Sequence, residues 1–312
     1  MDSQDAVRWM FHATAMVRDY ELARDRLSDL FGLVVLEDTV VETPEVGRRG
    51  GMTWLGDNSL ELGQPIVPGA GADRFVERFG PGLHSIALQV KDLDRTLKRA
   101  ENLGIRTIAR PSEYFAFSDP RDLGGVFIEW FTAEHDVDPH FGATIPVRTT
   151  SAAVSVSHVA HIGAVAADPI AMADKIATAA GREVTFSSQH SGPRQPVAGV
   201  DLGDCTLAIY QLDPETSDET WGRLYTRGRV HLMVLRISDL TTALSVLEDR
   251  GVRSLWAQDG TAVLDPVATG HVQVAVTDRF LPGDPRSSVD AAAREVHRQQ
   301  LPYDFSEVAP WT

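Results

Sequence analysis

Residues 12–32 read HATAMVRDYELARDRLSDLFG, and residues 161–181 read HIGAVAADPIAMADKIATAAG. Both open on His, run through a short apolar stretch to an Asp, continue with helically spaced apolar positions and stop at a Gly. An apolar run closed by Asp predicts a strand leading into a helix N-cap, and a Gly after the last turn predicts a left-handed helix stop. The match extends outward from these stretches. GDNSLEL from Gly56 pairs with GDCTLAI from Gly203, LHSIALQVKDL from Leu83 with VHLMVLRISDL from Val230, and DPRDLGGVFIEW from Asp119 with DPVATGHVQVAV from Asp265. The offset drifts only from 149 (12 to 161) to 146 (119 to 265), which predicts one module present twice.

Each module is itself bipartite. In the first, the pattern predicts a helix over 20–32, strands over 33–41, 51–55 and 59–63, then a strand over 85–90, a helix over 93–103 stopped by Gly104, and strands over 106–109, 114–118 and 126–131. The order βαβββ thus occurs twice per module and four times per chain, an α+β fold. The expected divisions are a first module over 1–133, a linker over 134–156, a second module over 157–283 and a tail over 284–312. In that tail SSVDAAAREVHRQQ reads as a short capped helix.

Composition limits the function. The 312 residues are 43% hydrophobic and 23% charged, ordinary for globular domains. The 29 Lys plus Arg against 44 Asp plus Glu give a net charge of −15, which repels phosphate backbones and removes nucleic acid from the expected partners. One cysteine, Cys205, excludes an intrachain disulfide framework and a multi-cysteine metal site, and its strand setting reads as core. No run reaches the ~18–20 apolar residues of a membrane span, and the start MDSQDAVRWMFHA has no signal-peptide pattern, so a cytoplasmic protein with no membrane partner is expected. The adjacent Arg48 and Arg49 read as a solvated turn, with an anion-holding pair as the other reading.

Strand alternation selects the candidate site. Ala13, Ala15 and Val17 form the helix-facing set of the first strand, which leaves His12, Thr14 and Met16 on the opposite face. Leu60 and Leu62 bury one side of SLELG and leave Glu61 on the other, while Glu129 shares its face with Phe127 and Phe131. A Glu in the middle of an apolar strand is costly unless it is paired or bound to a cation. Two such carboxylates and one His suggest a divalent-metal site; the other reading places both Glu at wet sheet ends and His12 in the core.

The four βαβββ units, with His12 opening the first, LELGQP around Glu61, GLHSIALQVKDL, and DPRDLGGVFIEW around Glu129, resemble the vicinal oxygen chelate superfamily, which includes glyoxalase I, methylmalonyl-CoA epimerase, extradiol dioxygenases and antibiotic-resistance proteins. The first module is most similar to the epimerase branch. The resemblance implies tandem modules with open, curved mixed sheets, and a divalent ion (Mn, Co, Fe, Zn, Ni or Mg) held by His12, Glu61, Glu129 and a second His. At that last position the chain has Ser85, with His84 just before it, so either three protein ligands and water hold the ion or a local bulge turns His84 inward. The branch's additional carboxylate base maps onto Gly50, which counts against methylmalonyl-CoA epimerase itself.

In the second module His161 remains, but Ala208, Leu232 and Ala275 replace Glu61, Ser85 and Glu129, so no metal is expected there. His231 mirrors His84, which reads as a structural role. His135, His140, His158, His190, His271 and His297 have no ligand spacing and read as solvated. Trp54, Tyr114, Phe115 and Phe117 are candidates for a cavity wall or for plain core. The leading expectation is a metal-dependent lyase or isomerase, glyoxalase- or epimerase-like, in which the ion chelates vicinal oxygens of a small carbonyl or acyl-CoA substrate and Glu129 or Glu61 moves the α-proton. The alternatives are an extradiol-type ring-cleaving dioxygenase and a non-catalytic small-molecule-binding protein. A homodimer is an expected assembly.

Overall fold

A computed structural model describes residues 6–36, 41–43, 47–55, 58–133, 138–141, 152–191, 195–211 and 229–286. Most of the expected linker and the expected tail helix lie outside the described residues. The first half runs β1 (Met10–Met16), α1 (Tyr20–Phe31), β2 (Val34–Val35), β3 (Val41–Thr43), β4 (Arg48–Leu55), β5 (Asn58–Pro65), α2 (Gly71–Phe79), β6 (Gly82–Gln89), α3 (Leu93–Asn102), β7 (Thr107–Ala109), β8 (Phe115–Ser118) and β9 (Ile128–Phe131). The second runs β10 (Val156–Ala166), α4 (Pro169–Ala180), β11 (Val184–Ser191), β12 (Gln195–Asp201), β13 (Thr206–Gln211), β14 (Arg229–Ile237), α5 (Leu240–Asp249), β15 (Ser254–Gln258), β16 (Thr261–Leu264) and β17 (Val274–Thr277).

The same strand order appears in both halves. One sheet is ordered β2-β4-β5-β1-β6-β9-β8-β7 with β3 beside β4, and the other β11-β12-β13-β10-β14-β17-β16-β15. Each is open and mixed: β1 pairs parallel with β5 and antiparallel with β6, and β10 does the same with β13 and β14. The fold is α+β, with βαβββ three times and once, in the first unit, with the extra short strand β3 beside β4. Helix α2 is an addition between the first two units that the sequence reading does not contain.

Local chemistry sets these elements. Asp19, Asp92, Asp168 and Asp239 each precede a helix and accept a hydrogen bond from the backbone N–H three residues on, satisfying an otherwise orphaned donor. Gly32 and Gly181 end α1 and α4 at φ +77° and +66°, where a side chain would be strained. Helix α1 buries Ala23, Leu27, Leu30 and Phe31, and each large apolar side chain so buried contributes roughly 1.5–3 kcal/mol. One continuous apolar cluster, from Val7 to Val276, runs through both halves. The halves also exchange polar contacts: Asn58 Nδ2 donates to Asp204 Oδ2 at 2.6 Å, and the Met10 N–H donates to Asp204 Oδ1 at 2.9 Å. Burial raises the Asp204 carboxyl above its ordinary range, against the pull of these partners. The strands' other faces are left to carry the sites.

Candidate active site in the first module

Sheet register brings the candidate residues together. Thr14 of β1 lies opposite Glu61 of β5 on one side and Ser85 of β6 on the other, while His12 lies opposite Ala87 of β6, which in turn lies opposite Glu129 of β9. Cα partners share a face of the sheet. His12 Nε2 is 3.7 Å from Glu61 Oε2 and 3.9 Å from Glu129 Oε2, and the three side chains are only 7%, 15% and 13% exposed. The alternation reading of these three residues therefore matches where the structure places them.

His84 reaches this face through a bulge. Ala15 pairs with Leu83 where regular pairing would place His84, so His84 and Ser85 together oppose Thr14. His84 Nδ1 lies 3.0 Å from Ser85 Oγ, and its ring meets Phe75 of α2 and Phe127 edge-on at 4.6 and 5.0 Å. Burial and the nearby Arg48 charge depress its pKa to about 4, so it is neutral at pH 7. The second module repeats the irregularity: Gly163 pairs with Leu232 and Ala164 with Val230, skipping His231.

Arg48 is not a solvated turn residue. It opens β4, is 25% exposed, and donates from Nη1 to Glu61 Oε2 at 2.8 Å and from Nη2 to Glu61 Oε1 at 2.5 Å. Thr14 Oγ1 donates to the same Glu61 Oε2 at 3.2 Å. Burial alone would raise the Glu61 pKa; Arg48, then His12, and the two hydrogen-bond donors outweigh it and hold Glu61 below its usual range. Burial also opposes the charge on Arg48, and Glu61 outweighs that in turn. Glu129 has the opposite fate: burial and the Glu61 charge push it up to about 8, only partly offset by Arg48. The neighbouring Arg49 turns away to Glu21, at 2.6 Å.

Aromatic side chains flank Glu129. Phe131 stacks on Phe11 at 4.8 Å, Phe117 lies opposite Glu129 on β8, and Phe115, Phe117 and Phe127 continue the wall. Trp54 is buried in the small cluster behind this wall, whereas Tyr114 is 51% exposed and takes no part.

A divalent ion does not fit the residues as they stand. The obstacle is not spacing, because tetrahedral donors ~2.0–2.2 Å from one ion lie ~3.3–3.6 Å apart, close to the 3.7 and 3.9 Å between His12 and the carboxylates. Both oxygens of Glu61 are directed at the guanidinium of Arg48. Among the described residues no group of three or more His, Cys, Asp or Glu side chains is arranged to hold a metal ion.

The second module's face is filled by its own chain. His161 Nε2 donates to the Pro282 carbonyl at 2.8 Å, Thr206 Oγ1 donates to the Gly283 carbonyl at 2.6 Å, and His158 Nε2 lies 3.0 Å from Asp284 Oδ2. Burial holds His161 neutral, with a pKa of about 4. His158 and His140 are buried rather than solvated; His140 stacks on Trp9 at 4.3 Å and lies 2.7 Å from Asp138. His271 is partly buried, while His135 and His297 lie outside the described residues. Cys205 is buried core, as expected, and burial raises its pKa.

The two sheets share one strand order, and the first carries the polar cluster on its free face. Residues 11–119 match the Glyoxalase/Bleomycin resistance protein/Dioxygenase superfamily. An uncharacterized protein of Bacillus subtilis (strain 168), YqjC, is 28% identical over 113 residues, 34% of this chain and 79% of that protein. A mutant of 4-hydroxymandelate synthase from Streptomyces coelicolor shares the fold across 94% of this chain and 99% of its own, with a TM-score of 0.66 at 17% identity. Methylmalonyl-CoA epimerase from Mycobacterium tuberculosis aligns over 44% of this chain and 95% of its own, with a TM-score of 0.39 at 22% identity. No helix of the described residues is long and apolar enough to cross a membrane.

Proposed function

We propose that the first module is an enzyme that moves a proton at the carbon next to a carbonyl group, a lyase or isomerase acting on a small apolar-bodied substrate. The observation that carries this reading is the placement of Glu129: it is 13% exposed, flanked by Phe127 and Phe131 on its own strand face, and 3.9 Å from His12. Among the described residues it has no arginine partner of its own, while its neighbour Glu61 has one. Two carboxylates in unlike environments divide the labour, as paired acids do wherever their surroundings push their pKa values apart. Glu61 stays ionised and structural. Glu129 exchanges a proton near neutral pH.

In the reaction, the carboxylate form of Glu129 accepts the α-proton, and the electron pair left behind becomes an enolate. The nearby Arg48 charge favours that anion in a site with little water. The Glu129 acid then returns the proton at another position, completing an isomerisation, or keeps it while a β-substituent departs with the electron pair, completing an elimination. The divalent ion implied by the resemblance would have to take Glu61 from Arg48, and no step here passes through it.

The test is solvent-deuterium uptake into 2-hydroxy ketones and 2-substituted acyl-CoAs. The protein should catalyse exchange that Glu129→Gln abolishes and Glu129→Asp restores in part. Binding of these compounds without exchange, equal in both proteins, would leave the non-catalytic binding reading, which the closed Arg48–Glu61 pair favours as the second choice.

A further inference from the structure

We infer that the guanidinium of Arg48 is the resident cation of this site, holding on Glu61 the place that a divalent ion would need. The proposal does not depend on the proton-transfer reading. It rests on how the chain delivers Arg48 to Glu61. Arg48, Gly50 and Met52 share a face of β4, and Gly50 pairs with Gly63 while Met52 pairs with Glu61. Arg48 therefore reaches Glu61 across a pair of glycines. A Cβ on Gly63 would stand 3.6 Å from Arg48 Cδ and 3.0 Å from Met16 Sδ, so the missing side chain forms the corridor in which the arginine lies.

At the end of that corridor the match is two-pronged. Parallel N–H bonds to both carboxylate oxygens are the geometry for which a guanidinium is built and an ammonium is not. Thr14 takes a further lone pair of Oε2. A divalent ion entering here would meet a carboxylate already engaged on both oxygens and a fixed positive charge beside it. The surroundings are consistent with this exchange of one cation for another. Ser85, a weak ligand, stands where the resemblance implies an imidazole, and the bulged His84 turns Nδ1 to that Ser85 hydroxyl. Gly50, where the epimerase branch has its carboxylate base, is closed to side chains, because a Cβ there would lie 2.4 Å from the Leu62 carbonyl oxygen.

The consequence concerns the substrate. A chelated ion demands two vicinal oxygens, whereas a fixed guanidinium can stabilise a single developing oxyanion. The requirement for vicinal oxygens therefore lapses, and simple carbonyl compounds become candidates.

The test is cobalt uptake by the full chain after chelator treatment, followed by equilibrium dialysis and the visible absorption of bound Co²⁺. The wild type and His12→Ala should behave alike, with no equivalent bound at this site. Arg48→Met should gain one equivalent with at least ~10-fold higher affinity, a difference of about 1.4 kcal/mol. That gain should vanish in Arg48→Met/His12→Ala and in Arg48→Met/Glu61→Gln. A wild-type equivalent of cobalt that His12→Ala abolishes would overturn the proposal, and this comparison stands even where Arg48→Met does not fold. A folded Arg48→Met that takes up no cobalt would overturn it as well.

Discussion

Replacing Glu129 by Gln should alter how stability depends on pH more than it alters stability at any one pH. The carboxyl is 13% exposed, and burial together with the Glu61 charge lifts its pKa from 4.5 to about 8. Between those values the folded chain holds a proton that the unfolded chain has lost. Stability therefore falls as pH rises through this window, by up to ~1.4 kcal/mol per pH unit and by several kcal/mol across it. Below 4.5 both states are protonated, above about 8 both are ionised, and the contribution is flat at each end. Glutamine keeps the shape and cannot ionise. Urea unfolding of the two proteins at half-unit steps from pH 4.5 to 9 reads the effect of Glu129 together with its coupling to Glu61 and Arg48, because titrating groups remote from the cluster cancel in the difference. The wild type should lose stability relative to Glu129→Gln from about pH 5 to 8 and then run parallel to it. Curves parallel throughout would mean that the Glu129 carboxyl titrates alike in the folded and unfolded chain, contrary to this expectation.

Other perturbations read other parts of the account. Arg48→Ala leaves the Glu61 carboxylate buried without its bidentate partner and should cost about 3–5 kcal/mol, most of which returns in Arg48→Met/Glu61→Leu, measured by denaturant midpoints. Gly50→Ala sets a Cβ 2.4 Å from a backbone oxygen and should cost about 1–3 kcal/mol, measured by thermal unfolding. At acid pH the sign reverses: His161 is held at about 4, against 6.5 unfolded, so its contribution is lost as pH falls from 6.5 toward 4. His161→Gln, which keeps an N–H for the Pro282 carbonyl, should flatten that part of the profile. In the second module no variant of His161 should change catalysis, because Pro282, Gly283 and Asp284 fill its face.

The sequence and the structure agree where the chemistry is local. Asp before α1, α3, α4 and α5 and Gly after α1 and α4 mark element ends by satisfying or relieving single backbone positions, so the repeat was legible from a pair of aligned stretches. His12, Glu61 and Glu129 were legible for a similar reason, since strand alternation fixes their face once their strands are known. His84 was legible only as one of two readings, because the bulge opposite Thr14 breaks the alternation that otherwise favours Ser85. Its recurrence at His231 is the sign that could have pointed to it. Arg48 escaped because its role depends on which strand pairs with which. Only the β4–β5 register puts Gly50 against Gly63 and opens the way to Glu61. His140 and His158 are buried by Trp9 and by the segment at Asp284, distant partners that spacing cannot show. Helix α2, absent from the sequence reading, was legible, since Ala72, Phe75, Val76 and Phe79 fall at i, i+3, i+4 and i+7, and its Ala72 and Val76 pack with Met16.

The central claim is that Glu129 is the proton carrier of a buried cluster whose positive charge is Arg48. Carbon-13 NMR of the protein labelled at the glutamate carboxyl carbons tests it directly. The account predicts one carboxyl titrating near pH 8, absent in Glu129→Gln and shifted higher in Arg48→Met, where the charge that lowers it is gone. A spectrum in which every glutamate titrates within the ordinary carboxylate range would contradict it.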